Sequence, residues 1–286
     1  MGVGATGFLF GTLTRMPTLT HNGVTLSYTD TGTPTDHPDA PTVVFGHGLL
    51  FSGRMFRAQI DALRPRYRCV AIDWRGQGDT PATPSGYDMD TLTDDALAVI
   101  SALGAGPVHY VGLSMGGFVG QRLAARHGSL LRSLTLLDTS ADPEPRSTMV
   151  QDIVMAGVYS LVGMRPLVPF VVPIMFGPTF RKDPANKPAI ADFLDGIGRT
   201  ERNGLRRAVV SVALRKPVYD EIDKISVPTL VIVGADDAAT KPDKARRIAA
   251  RIPGARLEIV PDSGHSSTVE QPAAVTALLT SFLASV

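Results

Sequence analysis

Short apolar runs separated by stretches of helical periodicity organise most of this chain. Thr42-Val-Val-Phe45, Cys69-Val-Ala-Ile72, His109-Tyr-Val111, Leu134-Thr-Leu-Leu-Asp138, Thr229-Leu-Val-Ile-Val233 and Leu257-Glu-Ile-Val260 are brief and apolar, most of them rich in Val, Ile and Leu. Runs of this kind predict strands buried on both faces, and therefore a parallel sheet covered by helices. Between them, Leu92, Ala96, Val99, Ile100 and Leu103 fall on one helical face, with Thr91 and Asp94 resembling a capping pair and Gly104 a stop. Pro272 suits the first turn of a last helix whose Val275, Leu278, Leu279 and Phe282 would pack on the sheet. The pattern is that of an α/β protein.

The rhythm breaks between Ala141 and about Asp223. Met149, Met155, Met164 and Met175 fall here, together with an apolar stretch from Leu161 to Phe176. Arg165 and three prolines interrupt that stretch, so a membrane span is not expected. The expectation is a helical cap inserted after the strand that ends at Asp138, roofing a site on the sheet. Most of its apolar side chains should pack the cap against the core. Some should face a pocket, with Phe170, Met175 and the loop residue Leu50 as candidates, because flexible thioethers suit a variable apolar substrate. The predicted organisation is an extension over 1–17, a first core part over 18–140, the cap over 141–223 and a second core part over 224–286.

The chemistry centres on Gly112-Leu113-Ser114-Met115-Gly116, which follows the strand at His109–Val111 and opens a helical pattern. A G-x-S-x-G sequence in that place forces a sharp, strained strand-to-helix turn and presents the serine hydroxyl at its apex. The helix N-terminus and the Met115 N–H then stand ready to stabilise negative charge on a substrate oxygen. A serine needs an imidazole to take its proton, and the imidazole needs a carboxylate to hold its tautomer. Of six histidines, His265 alone occupies a glycine-flanked loop after a strand and far along the chain from Ser114. His109 starts a strand and His127 ends a helix, both structural positions, while His21 and His37 lie in polar loops.

Four motifs in order resemble the α/β-hydrolase superfamily. They are Gly46-His47-Gly48-Leu49-Leu50-Phe51-Ser52-Gly53 after a strand, Asp73-Trp74-Arg75-Gly76-Gln77-Gly78, the serine elbow, and Gly264-His265 followed by Glu270-Gln271-Pro272. The resemblance covers about Thr18 to Ser140 and Lys224 to Val286. It implies an α/β-hydrolase fold and a triad in the order Ser114, Asp237, His265. It also implies an oxyanion hole made by the backbone N–H groups of Leu49 and Met115, with His47 orienting that loop and Asp73 bracing its own. Asp237, the third residue after Gly234, matches the family acid, whereas Asp236 reads as a solvated carboxylate. Asp138 is a rival, since some members take the acid from the end of the strand after the nucleophile. One position departs from the pattern: the family's serine after the second loop glycine is replaced by Gly78-Asp79-Thr80.

Composition narrows the partners. At 286 residues, 44% hydrophobic and a formal net charge of +1, the chain has enough apolar content for one sizeable core and a small accessory domain. Near-neutrality without basic runs argues against nucleic acid. The single cysteine, Cys69, excludes an internal disulfide, and without a Cys/His cluster no structural zinc is expected. The apolar, glycine-rich start lacks a basic region, which is a poor secretory signal. Its Met1-Gly2 and Thr6 meet the N-myristoylation pattern, one that glycine-rich starts meet by chance. A cytoplasmic protein without a transmembrane segment is the expectation. Similarity is greatest to 3-oxoadipate enol-lactonases and small esterases, with cofactor-free haloperoxidases close behind. It implies a cofactor-independent serine hydrolase acting on a small ester or lactone. The alternatives are perhydrolysis, carbon–carbon-bond hydrolysis, whose enzymes carry a different oxyanion loop, and a non-catalytic ligand receptor on the same fold. Serine at the elbow argues against dehalogenases and epoxide hydrolases, which place aspartate there.

Overall fold

A computed structural model describes residues 16–286. The expectations for an N-terminal extension and an acylation pattern lie outside the described residues, except for Met16 and Pro17. The remainder is built on an eight-stranded sheet: β1 (Thr18–His21), β2 (Val24–Asp30), β3 (Thr42–Gly46), β4 (Arg68–Ile72), β5 (Val108–Leu113), β6 (Leu131–Leu137), β7 (Thr229–Gly234) and β8 (Arg256–Val260). The spatial order is β1-β2-β4-β3-β5-β6-β7-β8. The first two strands run antiparallel to their neighbours and all later pairings are parallel.

Eleven α-helices complete the described chain. They are α1 (Arg57–Leu63), α2 (Met89–Leu103), α3 (Met115–His127), α4 (Arg146–Val162), α5 (Val168–Met175), α6 (Pro178–Lys182), α7 (Lys187–Arg199), α8 (Arg202–Ala213), α9 (Pro242–Arg251), α10 (Ser267–Glu270) and α11 (Pro272–Leu283). None is long and apolar enough to cross a membrane.

The two-residue period of a strand explains how the sheet is covered. Val44, Val70, Tyr110, Leu134 and Val231 point into the layer formed by α2, α3 and α9. Their neighbours Val43, Cys69, Val111 and Leu230 point the other way, against α1 and α11. Every central strand is thus apolar on both sides, as the continuous runs require. Cys69 is part of this second layer, and burial pushes its thiol up to about 12, which leaves it unionised.

Two boundaries differ from the sequence pattern. Helix α2 begins at Met89, and its N-cap is Asp88, whose carboxylate accepts the Thr91 N–H at 3.0 Å and the Thr91 hydroxyl at 2.7 Å. The expected Thr91/Asp94 pair therefore lies inside the first turns, because an earlier aspartate satisfies the free N–H groups better placed to receive it. Gly104 ends the helix with φ 59°, as its lack of a Cβ allows. Between β6 and β7 the chain leaves the sheet and forms α4 to α8. Their apolar sides meet in a separate cluster containing Tyr159, Leu167, Val171, Phe176, Phe193 and Leu205.

Candidate active site

Strand β5 delivers Ser114 at the carboxyl edge of the sheet. The residue adopts φ 51° and ψ −109°, strained for a side chain with a Cβ and costing on the order of 1–3 kcal/mol. Glycines make the turn sterically feasible. A Cβ on Gly112 would collide with the Gly116 carbonyl, and one on Gly116 would collide with the carbonyl of Gly46. Three contacts hold the turn from outside: Ser114 N–H donates to Leu137 O at 2.9 Å, Gly116 N–H donates to His47 O at 3.1 Å, and the Thr139 hydroxyl donates to Ser114 O at 2.8 Å.

The loops after β7 and β8 bring in Asp237 and His265. His265 Nε2 lies 2.9 Å from Ser114 Oγ, and its Nδ1 lies 2.9 and 3.0 Å from the two oxygens of Asp237. All three side chains are buried. The contacts assign the proton: Nδ1–H donates to the carboxylate, leaving Nε2 free to accept from the serine. Asp237 is itself fixed by the N–H groups of Ala239 and Thr240, each at 2.9 Å, and by the Thr240 hydroxyl at 2.9 Å. Burial works against a charged imidazole at His265. The charge of Asp237 and its hydrogen bond outweigh that burial, aided by Glu270, and raise its pKa above the ordinary imidazole value.

Of the other carboxylates, Asp236 is exposed. Asp138 is fully buried at the end of β6 with φ 45°, yet its oxygens accept the N–H groups of Gly234 at 2.8 Å and Ser267 at 3.2 Å. It ties the two loops together, and the imidazole Nδ1–H donates to Asp237 instead. Burial first, and then the nearby charge of Asp237, push its pKa up to about 8. Glu270 is a second tie. Its oxygens accept from Gly264 at 2.9 Å, Ser266 at 3.0 Å and Gly177 of the insertion at 2.8 Å.

The loop after β3 faces the serine from the other side. His47 is buried and burial keeps it neutral, with Nδ1 2.7 Å from Gly48 O and Nε2 accepting the Trp74 N–H at 3.1 Å. Trp74 returns its indole N–H to His47 O at 2.9 Å. Gln77 Oε1 accepts the Leu50 N–H at 2.9 Å and Phe51 N–H closes on Gly48 O at 3.2 Å. These contacts occupy the backbone on either side of Leu49, whose N–H, like that of Met115, donates to no protein acceptor among the described residues. Asp73 braces the loops, accepting the Gly53 N–H at 2.8 Å and the Asp79 N–H at 2.9 Å. At the departure from the family pattern, Thr80 supplies a hydroxyl that donates to Asp73 O at 2.7 Å and accepts the Ser27 N–H at 2.8 Å.

A cavity of about 550 Å³ opens above Ser114 and His265. Leu49, Leu50 and Met175 line it, together with Met155, Tyr159 and Met164 of the insertion. Phe170 does not: it is 60% exposed on the outer side of α5, because the helix turns Val171, Ile174 and Met175 inward instead. Sequence reasoning missed Gln77, Thr240 and the polar wall of the cavity. Gln77 lies inside the Asp73–Gly78 motif, and the others carry no local pattern.

The family model described as "Alpha/beta hydrolase family" matches residues 43–278. A Caulobacter sp. (strain K31) protein named as a candidate carbamate hydrolase is 29% identical over 251 residues, covering 86% of this chain and 91% of its own. The structure of an enol-lactonase from Burkholderia xenovorans LB400 superposes with TM-score 0.85 at 30% identity, covering 94% of this chain and 100% of that one. A thermophilic esterase from Thermogutta terrifontis gives TM-score 0.83 at 28% identity, covering 94% and 97%.

Proposed function

The chain belongs to the alpha/beta hydrolase family, and from that premise we propose that it is a serine hydrolase cleaving a carboxylic ester or lactone of a small, largely apolar substrate through an acyl-enzyme. The observation that carries this reading is the unbroken contact from Asp237 through His265 to Ser114, with 2.9 Å between Nε2 and Oγ. That distance is within reach for general-base transfer.

In this reaction Ser114 Oγ attacks the carbonyl carbon while His265 Nε2 takes its proton. The developing oxyanion is held by the Leu49 and Met115 N–H groups, which are unspent on protein acceptors and reinforced by the N-terminus of α3. Asp237 keeps the imidazole in the productive tautomer and stabilises it once charged. His265 next gives its proton to the leaving oxygen. Water, deprotonated by the same nitrogen, then attacks the acyl-enzyme, and as the bond from the acyl carbon to Ser114 Oγ breaks the Nε2 proton returns to Oγ and the acid leaves. The insertion acts as a cap whose Met155, Met164 and Met175 present an adaptable apolar surface to the substrate.

The test uses the full chain with p-nitrophenyl esters, lactones and carbamates, and a fluorophosphonate probe. Ester or lactone turnover, with probe on Ser114 and both lost in Ser114→Ala that still melts cooperatively, is the expected result. Labelling that survives Ser114→Ala at one other site would overturn the assignment.

A further inference from the structure

The cavity has a charged wall that the acyl-transfer steps do not use. Arg215, just past the end of α8, is almost wholly buried, with its guanidinium 4.3 Å above the ring of Phe118. Phe118 stands one helical turn after Ser114 on α3 and lines the same cavity. Arg215 Nη1 donates to Glu144 Oε2 at 2.5 Å and to Val212 O at 3.1 Å, while its Nε is buried without an acceptor. Asp152, on α4, also lines the cavity, and no hydrogen bond or ion pair engages its carboxylate among the described residues. Asp152 is therefore left without a partner of its own. Around Arg215 one guanidinium faces two carboxylates, and Glu144 already matches it; of the other charged residues lining the cavity, Lys244 is ion-paired with Asp142, and Lys241 and Asp243 stand at the start of α9.

Resting on the hydrolase reading above, the geometry points to a substrate that carries a nitrogen-borne hydrogen-bond donor, a protonated amine above all, bound by Asp152 and Glu144 away from the scissile bond. Burial and the neighbouring charge of Glu144, against the attraction of Arg215, lift the Asp152 carboxyl to about 6. A group in that state gains most from a donor that desolvates it less than an apolar wall does. A substrate carboxylate in the same place would meet two like charges, with the one guanidinium already paired. The methionine-lined part of the cavity would hold the intervening methylenes.

The distinguishing experiment compares esters of equal chain length ending in methyl, carboxylate or ammonium, with the terminal group placed on the acyl side in one series and on the alcohol side in another. In at least one series kcat/KM for the ammonium end should exceed that for the carboxylate end by about tenfold or more, mostly through KM. Asp152→Asn should reduce that ratio to about twofold or less, and Asp152→Lys should invert it. A second readout is independent of turnover: Ser114→Ala should bind hexylammonium more tightly than hexanoate, with the preference lost when Asp152→Asn is added. Equal use of the charged esters in both series, or a preference untouched by Asp152→Asn, overturns the inference while leaving the hydrolase reading standing. Conversely, no turnover of any ester alongside selective hexylammonium binding would sink the hydrolase reading and keep the charged subsite.

Discussion

The strand-end loops and the helical insertion border one cavity, but they are held in different ways. Around Ser114, each backbone turn is fixed by several partners: Gly112 and Gly116 have no room for a Cβ, and Asp73, Asp138 and Glu270 each accept two or three N–H groups from separate loops. The insertion has a smaller apolar cluster of its own and leaves Leu161 81% exposed and Val154 59% exposed. Its main polar ties to the sheet edge that carries Ser114 are the Gly177 N–H on Glu270 and the Ser266 hydroxyl on Met175 O at 2.7 Å. Reacting atoms need fixed positions, whereas a surface that fits different substrates gains from looser packing. Substitutions on the sheet side should therefore act on kcat, and those in the insertion on selectivity.

His265→Ala is the severest way to break the contrast, because it removes the proposed base, the side chain in hydrogen-bond contact with Ser114 Oγ. Turnover should fall by at least about 10⁴-fold with the melting temperature near wild type, since among the described residues no other side chain hydrogen-bonds to Ser114 Oγ. Asp237→Asn comes next, with a loss of about 10³- to 10⁴-fold from the wrong tautomer. These two effects can be separated by pH. The base must be neutral, so kcat/KM rises as pH climbs through the pKa of His265, which lies above the ordinary imidazole value. Removing the Asp237 charge should move that acid limb to lower pH, and a limb that stays in place would place the base elsewhere.

Asp138→Asn sharpens the same comparison, because it changes a buried carboxyl that ties loops without touching the imidazole nitrogens. Activity should stay within about tenfold of wild type, at a cost of about 1 kcal/mol for one of its two N–H contacts. Folded Asp138 keeps its proton up to about pH 8, while the unfolded chain releases it near 3.8. The stability from this group is full below the lower value and lost as pH rises toward the upper. The melting temperature of Asp138→Asn relative to wild type should accordingly improve from about pH 4 to about pH 8. An inactive Asp138→Asn with an active Asp237→Asn would reverse the assignment of the acid.

How far the sequence could be read follows the same division. The elbow, the His265 loop and the strands were legible because strained turns admit few residues and buried strands admit few side-chain types. The cap of α2 was misplaced because Asp88 and Thr91 are both acceptable there, and only the backbone path decides between them. Leu50 and Met175 line the cavity, whereas Phe170 is turned to solvent. Composition marks the segment from Leu161 to Phe176 as apolar throughout, so it cannot say which side of a short, proline-interrupted helix faces inward. Arg215, Glu144 and Asp152 lie far apart in the chain and meet only through the fold.

That misplacement supplies the smallest effect. Met175 and Phe170 sit on the same helix within two turns, one lining the cavity and the other turned to solvent. Each methylene buried against apolar surface contributes about 0.8 kcal/mol, roughly fourfold in affinity. Met175→Ser should consequently flatten the rise in kcat/KM from acetyl to hexanoyl esters by a few-fold, with a lower melting temperature from the partly emptied cluster. Phe170→Ser should change neither the chain-length profile nor the melting temperature by more than the error of measurement, since its ring buries little on folding. A chain-length effect in Phe170→Ser equal to that in Met175→Ser would mean that the substrate reaches the outer side of α5. The division between an inward reading wall and an outward surface would then have to be redrawn.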